Sequence, residues 1–218
     1  KSFFLQRDWR RISMNNADRT VAFKSDGMRL DIKRFSPGFM VDLALDSIEK
    51  AGFANAMVRV GGAQRNIGRD IFTPWSIQIG LGGKSDKLAH RALNYSISNV
   101  ASATVTADGL GRGLIDPHSK RPVSNNLAQS TTVIAASAAT ATAYALAAYT
   151  LGPRIGLRFV EAHPEVKIII VDTDGNLLAS AGLGVSSPTA LIDSQRTAPY
   201  DGGSNDLRQK QIEEERDQ

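Results

Sequence analysis

The sequence predicts an α+β domain with a mainly antiparallel sheet and packed helices. Three observations carry that expectation. Short apolar or alternating stretches recur at 56–60, 75–79, 93–100, 131–135 and 166–171, each the length of a strand. Val41, Ala44, Leu45 and Ile48 follow one another at helical spacing. The stretch Asp172-Thr173-Asp174-Gly175-Asn176 turns 166–171 back into 177–180 as a hairpin, a connection that only antiparallel strands can use.

Taken in order, 20–23 and 28–32 read as extended segments around a turn at Ser25-Asp26-Gly27. Ser36-Pro37 supplies N-cap and first-turn chemistry for a helix over 37–51. Its apolar stripe leaves Asp42, Asp46 and Glu49 for the other face, and Gly52 stands ready as the residue that ends it. Strand 56–60 runs into Gly61-Gly62, where the backbone can turn sharply or approach a ligand closely. Residues 75–79 alternate Trp, Ser, Ile, Gln, Ile, the pattern of a half-buried strand. Ala, Ser and Thr dominate the next helix, expected over 136–151 and closed by Leu151-Gly152-Pro153, and such small side chains permit a close approach to a neighbour. A third helix is expected over 153–162. From Gly182 the pattern dissolves into Ser, Pro and Gly, and 205–218 is highly charged. The expected organisation is one domain over 1–181 and an irregular, charged C-terminal tail over 182–218, whose ordering would call for a protein partner.

Composition narrows the function. The chain has 218 residues, 42% hydrophobic and 22% charged, ordinary values for a globular protein able to bury a core. Net charge is +4, with the densest basic stretch at Arg7, Arg10 and Arg11; no basic helix interleaved with aromatics accompanies it, so no nucleic-acid partner is expected. The absence of cysteine excludes disulfides, thiolate catalysis and cysteine-ligated metals. No run of eighteen apolar residues occurs, and the opening Lys1-Ser2-Phe3-Phe4-Leu5 lacks the apolar length and cleavage site of a signal peptide.

Four segments in order then resemble the motifs of the ApbE family. The family's D-L-G-G-I-A-K-G-Y-A-V-D is matched by Asp31 to Asp42, reading D-I-K-R-F-S-P-G-F-M-V-D. Its N-A-L-V-N-L-G-G-D-I-R-A-x-G is matched by Asn55 to Gly68, N-A-M-V-R-V-G-G-A-Q-R-N-I-G. Its H-I-I-D-P-x-T-G-x-P-V is matched from its second position by Leu114 to Val123, and its A-D-A-L-A-T-A-x-F-V-L-G-P by Ala141 to Pro153, A-T-A-Y-A-L-A-A-Y-T-L-G-P. The resemblance spans residues 30–180 and implies an ApbE-like, T-fold-related sheet with packed helices. The family's N-terminal third has no evident counterpart here.

ApbE-type enzymes move the FMN half of FAD onto a threonine of a target protein. Cleaving that pyrophosphate needs charge neutralisation, usually by Mg²⁺, a hard cation that wants carboxylate ligands. The resemblance implies that an Asp and a Thr four residues later, on one face of the fourth-motif helix, hold the metal. Here Thr142 and Leu146 occupy those positions, and no Asp lies between Asp116 and Asp172. The first motif's glycines are Lys33 and Arg34, and its lysine is Pro37. Residues that shape turns remain, among them Gly38, Asp42, Gly61, Gly62, Asp116 and Pro117. Gly38, Gly61, Gly62 and Asp116 are therefore only vestigial flavin-site candidates, and neither an intact catalytic residue nor a metal site is expected.

Each candidate also has a plainer reading. Gly61-Gly62 offers N–H groups to a phosphate or simply turns the chain. Asp116 and His118 form an acid–base pair, a weak metal site or turn chemistry. Asp172, Asp174 and Gly175 resemble a calcium loop but lack its later glutamate, which favours a hairpin turn. Lys33 and Arg34 grip a phosphate or form a solvated edge, while His90 and His163 read as surface residues. The resulting expectation is a catalytically inactive, ApbE-like structural or interaction subunit of a larger assembly, with no bound cofactor. The alternatives are an active transferase using FAD and Mg²⁺, or a flavin-binding module without transfer. The resemblance also implies a periplasmic or otherwise extracytoplasmic location, with membrane proximity but no spanning segment.

Overall fold

The computed structural model describes residues 8–71, 73–80, 91–106, 109, 111, 113–117, 119, 121–123, 128–183 and 192–193. They fall into two compact units, Lys1–Ser36 and Pro37–Gln218. In the first, a short 3-10 turn at Trp9–Arg11 leads into a hairpin of β1 (Ile12–Asn15) and β2 (Thr20–Phe23). The expected strand at 28–32 does not form; Met28 to Ile32 lie in irregular backbone.

The second unit is built on a six-stranded antiparallel sheet in the order β10-β9-β8-β7-β4-β3. The strands are β3 (Ala56–Val60), β4 (Ala63–Ile67), β7 (Ala101–Thr106), β8 (Ser130–Ala135), β9 (Lys167–Val171) and β10 (Leu177–Ala179). Between β4 and β7 the chain leaves this sheet to form β5 (Trp75–Gly80) and β6 (Arg91–Ile97), which with β11 (Ile192–Asp193) make a three-stranded sheet. Helices α1 (Ser36–Lys50), α2 (Ala138–Leu151) and α3 (Pro153–Glu161) complete the fold.

Register explains the layers. Along β9, Ile168 and Ile170 pack with the alanines of α2, Val41 of α1 and Val160 of α3, while Ile169 and Val171 pack with Ile77, Ile79 and Ile97 of the three-stranded sheet. β8 divides the same way, Val133 and Ala135 to the helices and Ile134 to the second sheet. The central strands are thus covered on both faces, and this is why Lys167–Val171 reads as a continuous β-branched run rather than an alternation.

The expected α+β class, the three helices and the strands at 56–60, 75–79, 131–135, 166–171 and 177–180 are present to within a few residues. The expected strand 93–100 is cut at Ile97 and restarts as β7, because Asn99 takes a left-handed conformation (φ 55). β4 was not expected: Gln64 and Asn66 sit where apolar residues announce a buried strand, yet both are buried. Past the boundary expected at 181, Leu183 is buried in the second core and Ile192–Asp193 pair with Ala92 and Arg91. The rest of the expected tail lies outside the described residues.

Burial on both faces has a measurable consequence. Ile168→Ala and Ile169→Ala remove fully buried side chains from opposite faces of one strand. Each is expected to cost about 2–5 kcal/mol in chemical denaturation. A loss confined to Ile168 would show that the second sheet does not cover this strand.

Candidate functional site

The N-terminal halves of α1 and α2 meet at Gly38. A Cβ there would stand 2.5 Å from Thr142 Oγ1 and closer still to the carbonyl oxygen of Ala138, so only glycine allows the two helices to approach this closely. One turn on, Asp42 reaches the start of α2. Its Oδ1 accepts from the N–H of Ala138 (2.8 Å) and its Oδ2 from the N–H of Ala139 (2.9 Å). A carboxylate at a helix N-terminus satisfies orphan donors and opposes the positive end of the helix dipole. Ser137, the local N-cap, accepts from the N–H of Thr140 at 3.1 Å. Arg65 of β4 closes the cluster, 2.7 Å from Asp46 and 3.5 Å from Asp42.

Thr142 and Leu146 sit within this helix pair. Thr142 is fully buried and its hydroxyl donates to the Ala138 carbonyl at 2.7 Å. Leu146 packs in the main apolar core. Neither position offers oxygen to a cation: one hydroxyl is engaged along its own helix, and the other side chain is hydrocarbon. The residues present therefore do not fit a Mg²⁺ ion at the positions the motif implies. Among the described residues, no three His, Cys, Asp or Glu side chains gather as a cation site.

The other candidates fall elsewhere. Gly61-Gly62 is the two-residue turn joining β3 and β4; Gly61 has φ 57, and the Gly62 carbonyl accepts from the N–H of Thr104 at 2.9 Å. Asp116 lies in a loop pinned by the Ile115–Pro122 bridge, where its Oδ2 accepts from the N–H of Ser119 at 3.2 Å. His118 and His90 lie outside the described residues. Lys33 and Arg34 belong to the first unit, where the Lys33 N–H donates to Asp31 Oδ1 at 3.0 Å. Leu114 is half-buried against the core. Of the named candidates, the fold brings together Gly38, Asp42 and Thr142 at the start of α2, while Leu146 lies in the apolar core.

Two sequence readings change. Ser36 is no side-chain acceptor at the start of α1; its hydroxyl donates backwards to the Ile32 carbonyl at 3.2 Å. Asp42 and Asp46 lie off the apolar stripe as expected, with Asp42 turned to α2 and Arg65 and Asp46 to Arg65, while Phe39, Met40 and Leu43 of α1 are exposed. His163 is half-buried, its ring 5.1 Å from those of Tyr144 and Phe159 and its Nδ1 2.8 Å from the Phe159 carbonyl oxygen. Arg65 went unnoticed; the i, i+4 spacing of Asp42 and Asp46 on one helix was the available signal that a cation faces them.

At Asp172, partial burial works to raise the pKa, but bonds from the Asn176 side chain and from the N–H groups of Asn176 and Asp174 outweigh it and hold the carboxyl below its ordinary 3.8. The carboxylate is engaged within its own turn, in keeping with the hairpin reading.

The family model of the ApbE family matches residues 3–170, and the chain belongs to that family. The match begins well before the first recognisable motif and takes in the β1–β2 hairpin. The FAD:protein FMN transferase of Vibrio cholerae is 29% identical over 157 residues, covering 66% of this chain and 45% of the relative. That of Haemophilus influenzae is 24% identical over 178 residues, covering 78% and 51%. The solved flavin transferase ApbE from Vibrio cholerae shares the fold, with a TM-score of 0.69 at 24% identity over 81% of this chain and 58% of that one. The chain spans about half the length of the curated relatives it matches.

Two outcomes follow. Thr142→Asp is expected to destabilise the chain by at least about 2 kcal/mol, because it buries a carboxylate against Gly38 without a counter-charge; a thermal melt unchanged by the substitution would refute the joint described here. At Asp172 the depressed pKa contributes stability above the unfolded-state value, lost as the pH falls through the folded-state value. Asp172→Asn should therefore destabilise at neutral pH, and the gap to wild type should narrow as the pH drops below 3.8.

Proposed function

We propose that this ApbE-family chain does not transfer FMN and acts as a structural or interaction subunit of a larger assembly outside the cytoplasmic membrane. One observation carries the reading: at the two positions where the family resemblance expects metal ligands, Thr142 is buried with its hydroxyl engaged by Ala138, and Leu146 is core hydrocarbon. Without a hard oxygen donor there, a pyrophosphate's charge goes unneutralised at the point where the chemistry needs a cation. Lys33 and Arg34, standing for the first motif's paired glycines, add support, since bulk and charge replace the close backbone approach that glycine allows. The names of the relatives, FAD:protein FMN transferases, supply the context: proteins of this family act on other proteins, and an inactive member can keep a protein partner without the transfer step.

The reading predicts no covalent flavin when the chain is incubated with FAD, Mg²⁺ and an acceptor domain, followed by in-gel fluorescence. Calorimetry should show no tight Mg²⁺ binding. A fluorescent acceptor band would establish the chain as an active transferase and overturn the proposal. Flavin binding without a band, seen as quenching of tryptophan emission, would make it a flavin-binding module instead.

A further inference from the structure

We draw no further inference here: the strongest candidate, the exposed apolar side of α1 carrying Phe39, Met40 and Leu43, lies within the stretch shared with relatives of whose length this chain spans about half, and nothing in the structure shows what covers it.

Discussion

The contact between α1 and α2 ties the first helix to the core helix of the larger unit. Gly38 lets the helix axes come close, and Asp42 then places its carboxylate on the first free N–H groups of α2. A helix end buried without acceptors would be strongly disfavoured; here the acceptor arrives from 96 positions upstream. Arg65 ties the same carboxylate to the sheet. Once α2 is fixed, its alanines set the face on which Val105, Val133, Ile168 and Ile170 close. The joint places the candidate site, while the packing of α2 on the sheet and on α3 holds the larger unit together.

The joint also reframes the metal question. A metal site at 142 and 146 would need space and oxygen where the chain has a small residue under a glycine and a leucine in hydrocarbon. Replacing two side chains does not reverse this, because the surrounding backbone approach is itself part of the packing. Sequence comparison alone suggests that Asp and Thr could be restored at those positions; the buried Thr142–Ala138 hydrogen bond argues that the helix pair would yield first.

Much of the architecture was legible because it rests on strong local signals. The periodicity of Val41, Ala44, Leu45 and Ile48 gives α1, and the run at Ile168 to Val171 gives a central strand. The hidden parts are those where long-range contacts override local pattern. β4 buries Gln64 and Asn66, polar residues that carry no strand signal; Asn66 is buried because its amide bonds the Val100 carbonyl and accepts from the N–H of Asn99. The partners of Asp42 and Asp46 are hidden from the sequence for the same reason, since they lie on α2 and β4. Of the candidate site, the positions were found from motif order, but that Gly38 and Thr142 touch could only be learned from the fold.

The Asn66–Val100 clasp has a further consequence. Two hydrogen bonds hold together points 34 and 33 residues apart, Asn66 with Val100 and with Asn99, so the chain between them leaves and returns at nearly one place. Topologically, the β5–β6 excursion is a cassette: β4 and β7 would still be neighbours if a shorter link replaced it. Thermodynamically it is not dispensable, since Ile77, Ile79 and Ile97 cover Ile134, Ile169 and Val171. Change in this fold is therefore constrained along the inner face of the excursion, and a relative that dispensed with the cassette would need another layer to keep the sheet dry.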